Sequence, residues 1–225
     1  MTHQKRLSAP RHYPVERKDA AYVITGKGPH SEEEGVPIAV LLRDVLGYAN
    51  DLSEVQQILS SRNVAVNNTV ETDPQRTVGF MDVISVDRLD KDFRVTVDKD
   101  GLVFQEVDDG DRRLRRIEDK TTLKGDRTQL NLDGGENRIV EEDYDTRGSV
   151  VLKDGEIVNG LPLEEGAQAY IIAGQHVGEI AEVQDIKTVR GSQANRVTLE
   201  SDDGTFETIE DYVFVVGDDE PEVAL

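Results

Sequence analysis

Apolar residues recur at helical spacing in one stretch above all others: Ile38, Leu41, Leu42, Val45, Leu46 and Ala49, behind Pro37 at the place of a first helical residue. A second helix is expected to start near Asp51 or Ser53, where Ser53-Glu54-Val55-Gln56 fits a capping box and Val55, Ile58 and Leu59 form an apolar stripe. After Arg62 the period drops from about 3.6 to 2. Val64 and Val66 alternate with Ala65 and Asn67, Asn67-Asn68 supplies a turn that tolerates left-handed backbone, and Thr69-Val70 begins the return strand. With Val83 to Val86 beyond a loop at Asp73-Pro74, residues 37–88 read as a compact α+β unit.

From residue 89 onward the pattern is one of short strands and turns, with 112–120 the single further helix candidate. Residues 93–97 and 101–104 predict a hairpin around Asp98-Lys99-Asp100. Further strands are expected at 138–140, 149–152 and 156–158. The last set, at 169–173, 179–185, 196–200 and 205–216, has the spacing of a small barrel. Residues 218–225 read as a disordered acidic tail. Residues 1–36, rich in Pro, Gly and His, read as an extended arm with a few anchors such as Tyr13, Tyr22 and Ile24.

Composition narrows the class. Only 36% of the 225 residues are hydrophobic and 5% aromatic, with no Trp, so Val, Ile and Leu must build several small β-rich modules rather than one thick core. The chain has no Cys, which excludes disulfides and thiolate metal sites. No apolar run is long enough to span a membrane, and the basic N-terminus lacks the apolar stretch of a signal peptide, so a cytoplasmic protein without membrane partners is expected.

Net charge is −20, from 46 acidic and 26 basic residues. Arg outnumbers Lys, and the excess of acid suits molar salt, where a Debye length of about 3 Å screens self-repulsion. The first thirty residues run against this trend: six cations face two acids, and three of the four histidines lie there. A cationic arm on an acidic chain points to a polymeric anion, nucleic acid. Lys5, Arg6, Arg11, His12, Tyr13, Arg17, Lys18, Lys27 and His30 are its candidate RNA contacts. A second basic island holds Arg112, Arg113, Arg115, Arg116, Lys120, Lys124 and Arg127, read either as another RNA contact or as a surface segment paired with nearby acids.

Catalytic constellations are missing from the sequence. It has no G-x-S-x-G turn, no phosphate-binding loop and no His pair at metal-ligand spacing. Asp98-Lys99-Asp100-Gly101 lacks the remaining ligands of a calcium loop and reads as a hairpin turn. His176 reads as a loop residue. No catalytic residue, metal or cofactor is expected.

The two helices followed by Arg62-Asn63-Val64-Ala65-Val66-Asn67-Asn68 resemble the αL RNA-binding motif, which implies that the exposed helix sides and the adjoining strand meet folded RNA, with Arg43 on the first helix, Arg62 at the end of the second and Asn67 at the turn as the contacts. Lys5 to Tyr13, Gly28-Pro29-His30, Pro37 with its helix and, most specifically, Gly79-Phe80-Met81-Asp82-Val83-Ile84-Ser85 look like the archaeal and eukaryotic S4e family of small-subunit ribosomal proteins. Asp92 to Val95 and Asp98 to Gly101 extend the resemblance, and Gly166 to Gly178 is similar to a KOW motif in an SH3-like barrel.

The resemblance implies a multidomain α+β protein. Its parts would be a basic N-terminal extension over 1–36, an αL domain over 37–88, a central β-rich module over 89–165, a KOW barrel over 166–217 and an acidic tail over 218–225. It implies a non-enzymatic constituent of the small ribosomal subunit, monomeric within the ribosome, that contacts small-subunit rRNA and neighbouring ribosomal proteins in a halophilic archaeon. Alternatives from other classes are an RNA-modifying enzyme and a KOW-type transcription or translation factor. Four departures stand out: Ala181 at the usual KOW glycine, Tyr13 for a usual Trp, Glu32-Glu33-Glu34 in a region often basic, and an acidic rather than basic end.

Overall fold

Asn67 and Asn68 both adopt positive φ, 54° and 63°, the backbone of a tight hairpin turn, so the strands they join pair in register, Val66 opposite Thr69 and Ala65 opposite Val70. This hairpin, β4 (Val64–Val66) and β5 (Thr69–Val70), opens a five-stranded antiparallel sheet. A computed structural model describes residues 3–189 and 193–225 of the chain. Residues 1, 2 and 190–192, within the expected arm and barrel, lie outside the described residues. The chain divides into two compact units, 1–111 and 112–225, and is mostly β with few helices.

In the first unit the sheet order is β5-β4-β7-β8-β9, with β7 at Val83–Val86, β8 at Lys91–Asp98 and β9 at Gly101–Val107. The boundary expected between residues 88 and 89 therefore runs through a continuous sheet: Val83 to Val86 pair with Arg94 to Lys91. Asp98 Oδ1 accepts from the backbone N–H groups of Asp100 and Gly101 at 2.7 and 3.0 Å, which closes the β8–β9 turn.

The helical pair is shorter than its pattern. Helix α1 (Ile38–Val40) continues as a π turn over Leu41–Val45, where the Leu46 N–H reaches the Leu41 carbonyl at 2.9 Å, and Gly47 at φ 65° stops it before Ala49. Helix α2 (Leu52–Ser60) is capped by Asp51, whose carboxylate accepts from the Glu54 N–H at 2.9 Å. Glu54 in turn accepts from the Asn50 N–H at 2.7 Å, so the reciprocal cap sits two residues earlier than Ser53.

The N-terminal segment is part of this fold and not an arm beside it. Strand β1 (His3–Lys5) pairs with β2 (Tyr22–Ile24), and β3 (Gly35–Pro37) pairs with β6 (Thr77–Gly79). Ala9, Tyr13, Val23, Ile24 and Val36 join Leu41, Leu42, Val55, Leu59, Val64 and Ile84 in one core. Sequence periodicity misses this because the buried positions are single residues spread over irregular chain.

Tyr13 is buried in that core with its hydroxyl unpaired among the described residues, and burial, aided by Glu32, pushes its pKa up to about 12. The folded state thus holds a proton that the unfolded chain releases near pH 10, so stability is intact below about pH 10 and falls as pH rises towards 12, by roughly 2–3 kcal/mol. Tyr13→Phe is expected to flatten this alkaline limb and to leave stability at neutral pH unchanged or raised by about 1 kcal/mol. Urea unfolding from about pH 8 to pH 11.5 checks it, and an alkaline limb as steep as the parent's would contradict it.

In the second unit one sheet has the order β12-β11-β10-β13-β14. Its strands are β10 (Arg112–Thr122), β11 (Thr128–Leu132), β12 (Asn137–Val140), β13 (Ser149–Lys153) and β14 (Glu156–Leu161). The helix candidate at 112–120 is thus a long strand. A bulge after Ile117 lets its first half pair with β13 and its second half with β11. Ile117, Leu130, Leu132, Val150 and Leu152 form the core beneath it.

The other sheet, β18-β17-β16-β15-β19, uses β15 (Gln168–Ile171), β16 (Ile180–Lys187), β17 (Arg196–Ser201), β18 (Gly204–Ile209) and β19 (Val213–Gly217). The strand expected over 205–216 is therefore two strands, separated by a 3₁₀ turn at Glu210–Tyr212. The tail is packed: the Glu222 N–H reaches the Val216 carbonyl at 2.8 Å and Val223 is buried.

Candidate nucleic-acid interface

Alternation along β10 turns Arg113 and Arg115 the same way, and both are buried, 4% and 1% exposed. They meet carboxylates from the turn between β11 and β12. Arg113 Nη1 lies 2.7 Å from Glu136 Oε1, Arg115 Nε 3.6 Å from the same oxygen, and Arg115 Nη1 3.8 Å from Asp133. Burial pushes the Glu136 carboxyl up, yet Arg113 and Arg115 beside it hold it below the usual range. These two of the island's seven residues are internal ion-pair partners shielded from solvent, which corrects their reading as surface contacts.

The rest of that island divides again. Arg116 bonds Glu118 and the Asp211 carbonyl, at 2.7 and 3.0 Å, and Lys120 bonds Asp143 at 3.0 Å. Arg112 lies 3.6 Å from Glu222 on the surface. Lys124 and Arg127 stand exposed at the β10–β11 hairpin tip, in no ion pair among the described residues.

In the first unit several candidates also turn inward. Arg6 is 4% exposed and donates to Asp44 at 3.0 Å, and Asp44 also holds Arg43 at 2.7 Å. Buried Tyr13 has no free face for stacking. The His12 Nε2 lies 3.2 Å from the Gly35 carbonyl. His30 and Asn67 both belong to the setting of Asp82, a fully buried carboxylate: Asp82 Oδ2 meets His30 Nε2 at 2.8 Å and the Gly79 N–H at 3.0 Å, and Oδ1 accepts from Asn67 Nδ2 at 2.8 Å. Asn67 Oδ1 accepts from the Val83 N–H, so its amide is used at both ends. The His30 ring lies where a Cβ on Gly79 would come within 2.6 Å. The block Gly79 to Ser85 thus works as a structural lock, a buried acid fastening three segments.

Lys5, Lys18 and Arg17 line a cleft of about 510 Å³ with Leu7, Asp19, Ala20, Ala21 and Tyr22. Arg17 is pinned by the Leu7 and Pro10 carbonyls at 3.1 and 3.0 Å, while Lys5 and Lys18 make no ion pair among the described residues. Tyr22 is 57% exposed and meets His3 edge to face, with ring centroids 5.1 Å apart. Expected as an anchor of the arm, Tyr22 instead points outward, and the next two residues of β2, Val23 and Ile24, are the ones buried. Arg11, Lys27 and Arg62 are further exposed cations of this unit, likewise in no ion pair among the described residues. In the second unit the His176 ring stacks on Phe206, centroids 3.9 Å apart at 11°, with Nδ1 3.0 Å from Glu179. Among the described residues no group of His, Asp or Glu is arranged to hold a metal.

The chain is similar over nearly its whole length to proteins called small ribosomal subunit protein eS4. Identity is 39% with that of Methanosphaera stadtmanae, covering 99% of this chain and 95% of the relative. It is 41% with that of Halobacterium salinarum, covering 95% and 94%. The fold is similar to the crystal structure of the 30S ribosomal protein S4e from Thermoplasma acidophilum, with a TM-score of 0.70, 26% identity, and coverage of 82% of this chain and 95% of that one. The profile of ribosomal family S4e matches residues 89–156, which span the β8–β9 hairpin and the strands around the buried Arg113–Glu136 cluster. With relatives this similar along nearly the full chain, the protein belongs to ribosomal family S4e.

Proposed function

We propose that this protein is a structural constituent of the small ribosomal subunit in an archaeal cytoplasm, that it binds rRNA without catalysis, and that it works in molar salt. The observation that carries this reading is the cleft of the first unit, where Lys5 and Lys18 stand free beside the exposed Tyr22 ring on a chain of net charge −20. Cations that reach phosphates next to an aromatic face that can stack on a base are the two elements of single-stranded RNA recognition. Arg11, Lys27 and Arg62 are further exposed cations of the same unit available to RNA, with helix α2 and the β4–β5 hairpin serving as an αL-type element. Lys124 and Arg127 at the hairpin tip are a second contact, and the five-stranded sheet over 168–217 plays the part of a KOW barrel.

In molar salt counterion release adds little to binding, because bulk cation is already abundant. Affinity then rests on direct hydrogen bonds, stacking and matched shape. Filter binding of the full chain to small-subunit rRNA fragments is expected to persist from about 0.5 to about 3 M KCl. Lys5→Glu with Lys18→Glu is expected to weaken it at least about tenfold with the melting temperature unchanged. A steep loss of parent binding across that salt range, or full affinity in the double variant, would overturn the reading.

A further inference from the structure

The second unit carries a groove whose chemistry is the opposite of an RNA site. Strand β14 ends its sheet, so one row of its backbone N–H and C=O groups faces no neighbouring strand among the described residues, and the Gly160 N–H bonds the Asn159 side chain at 3.0 Å. Residues 142–145 run beside it, and the Tyr144 ring lies over Gly160, where a Cβ would come within 2.6 Å of the ring. Between them is a groove of about 520 Å³ with Ile117, Ile157 and Leu161 on its apolar side and Glu142, Asp143 and Asp145 on its rim. No Lys or Arg lines it.

Two independent features point to a ligand. The rim charge repels phosphate and attracts cations. Asp143 is already held by Lys120 and Glu142 accepts from the Tyr144 hydroxyl at 2.9 Å, while Asp145 has no ion pair among the described residues. The second feature is Ser149. It lines the groove at 1% exposure, and its hydroxyl has no hydrogen-bond partner among the described residues. A shielded hydroxyl left unpaired is destabilising, and a backbone group of an arriving chain would satisfy it.

We propose that this groove binds an extended cationic segment of a partner protein, seated between β14 and residues 142–145. Side chains of a strand alternate with period 2, so such a segment places Lys or Arg against Glu142 and Asp145 and sets an aliphatic residue over Ile117 and Ile157. One of its backbone groups meets the Ser149 hydroxyl. The exposed Val158 extends the apolar contact along the strand.

The probe is a dye-labelled peptide of about seven residues alternating Arg with Ile or Val, added to the full-length, ¹⁵N-labelled protein in about 0.5 M KCl. Saturable binding is expected, with amide shifts at Ser149 and along 157–161. Glu142→Gln combined with Asp145→Asn, both rim changes, is expected to weaken binding about five- to tenfold, and Ser149→Ala about threefold. A peptide with Glu in place of Arg should not bind. Absence of saturable binding, affinity unchanged in the rim double variant, or an RNA oligonucleotide shifting the same amides would overturn the proposal. The rim variant carries the test if Ser149→Ala is unstable. Because rRNA retention is read separately through Lys5 and Lys18, failure of either proposal leaves the other standing.

Discussion

Glu136→Ala is expected to destabilise the second unit by about 3–5 kcal/mol, the range for stripping one partner from a buried ion pair. Glu136 is shared by three arginines: Oε1 faces Arg113 at 2.7 Å and Arg115 at 3.6 Å, and Oε2 accepts from Arg138 at 2.9 Å. Its loss leaves two guanidinium groups, 4% and 1% exposed, without that acid, Asp133 lying 3.8 Å from Arg115. That is a large part of the 5–15 kcal/mol typical of a folded domain, so a fall in melting temperature of many degrees should follow. The pH dependence has a definite sign. The folded carboxyl is held below its unfolded value, so its contribution is present above about pH 4.3 and is lost as pH falls through the folded value. Acid unfolding followed by circular dichroism should therefore be shallower in the variant than in the parent. A stability change under about 1 kcal/mol would show that the cluster is solvated and contributes little.

Arg6→Glu is expected to unfold the first unit to a similar degree, about 3–5 kcal/mol, although Arg6 sits in the most basic stretch of the chain. The substitution removes the 3.0 Å pair with Asp44 and puts a second carboxylate beside it inside the protein. The Arg6 N–H also bonds the Ala21 carbonyl at 3.0 Å, which ties this turn to the β1–β2 pair. Its neighbour Lys5 is exposed, and Lys5→Glu should change stability by no more than about 0.5 kcal/mol while weakening rRNA binding. Denaturant unfolding of the two single variants side by side checks this. Equal stability of both would mean that the N-terminal stretch lies outside the folded unit.

The parts of the fold that were legible are those decided by neighbours in sequence. Asn67-Asn68 marked a hairpin because a tight turn needs positive φ and Asn accepts it at small cost. The strands at 138–140, 149–152 and 196–200 were placed within a residue or two by alternation between turns. What was not legible depended on distant residues. The β8–β9 hairpin carries no mark saying that it pairs with β7, and the strand Thr128–Leu132 has too few apolar residues to stand out. The 112–120 segment reads as a charged helix until the turn at Asp133 to Glu136 supplies the acids that let a strand bury two arginines.

The candidate site followed the same division. Net charge and the basic N-terminal stretch pointed to an anion from composition alone, and Lys5 and Lys18 remain exposed in the cleft. Tyr13, Arg6, Arg113, Arg115, His30 and Asn67 were credible RNA contacts by residue type and by neighbourhood in sequence, and the fold turns each of them to internal duty. Sequence by itself therefore determined the resemblance to the family, through motifs quoted along the chain, and also the local turns and strands and the overall sign and segregation of charge, which are set by residue type and short-range spacing. Only the tertiary structure decided which cations face solvent, because an Arg is a surface ligand or a core strut according to whether a carboxylate from far along the chain meets it out of water.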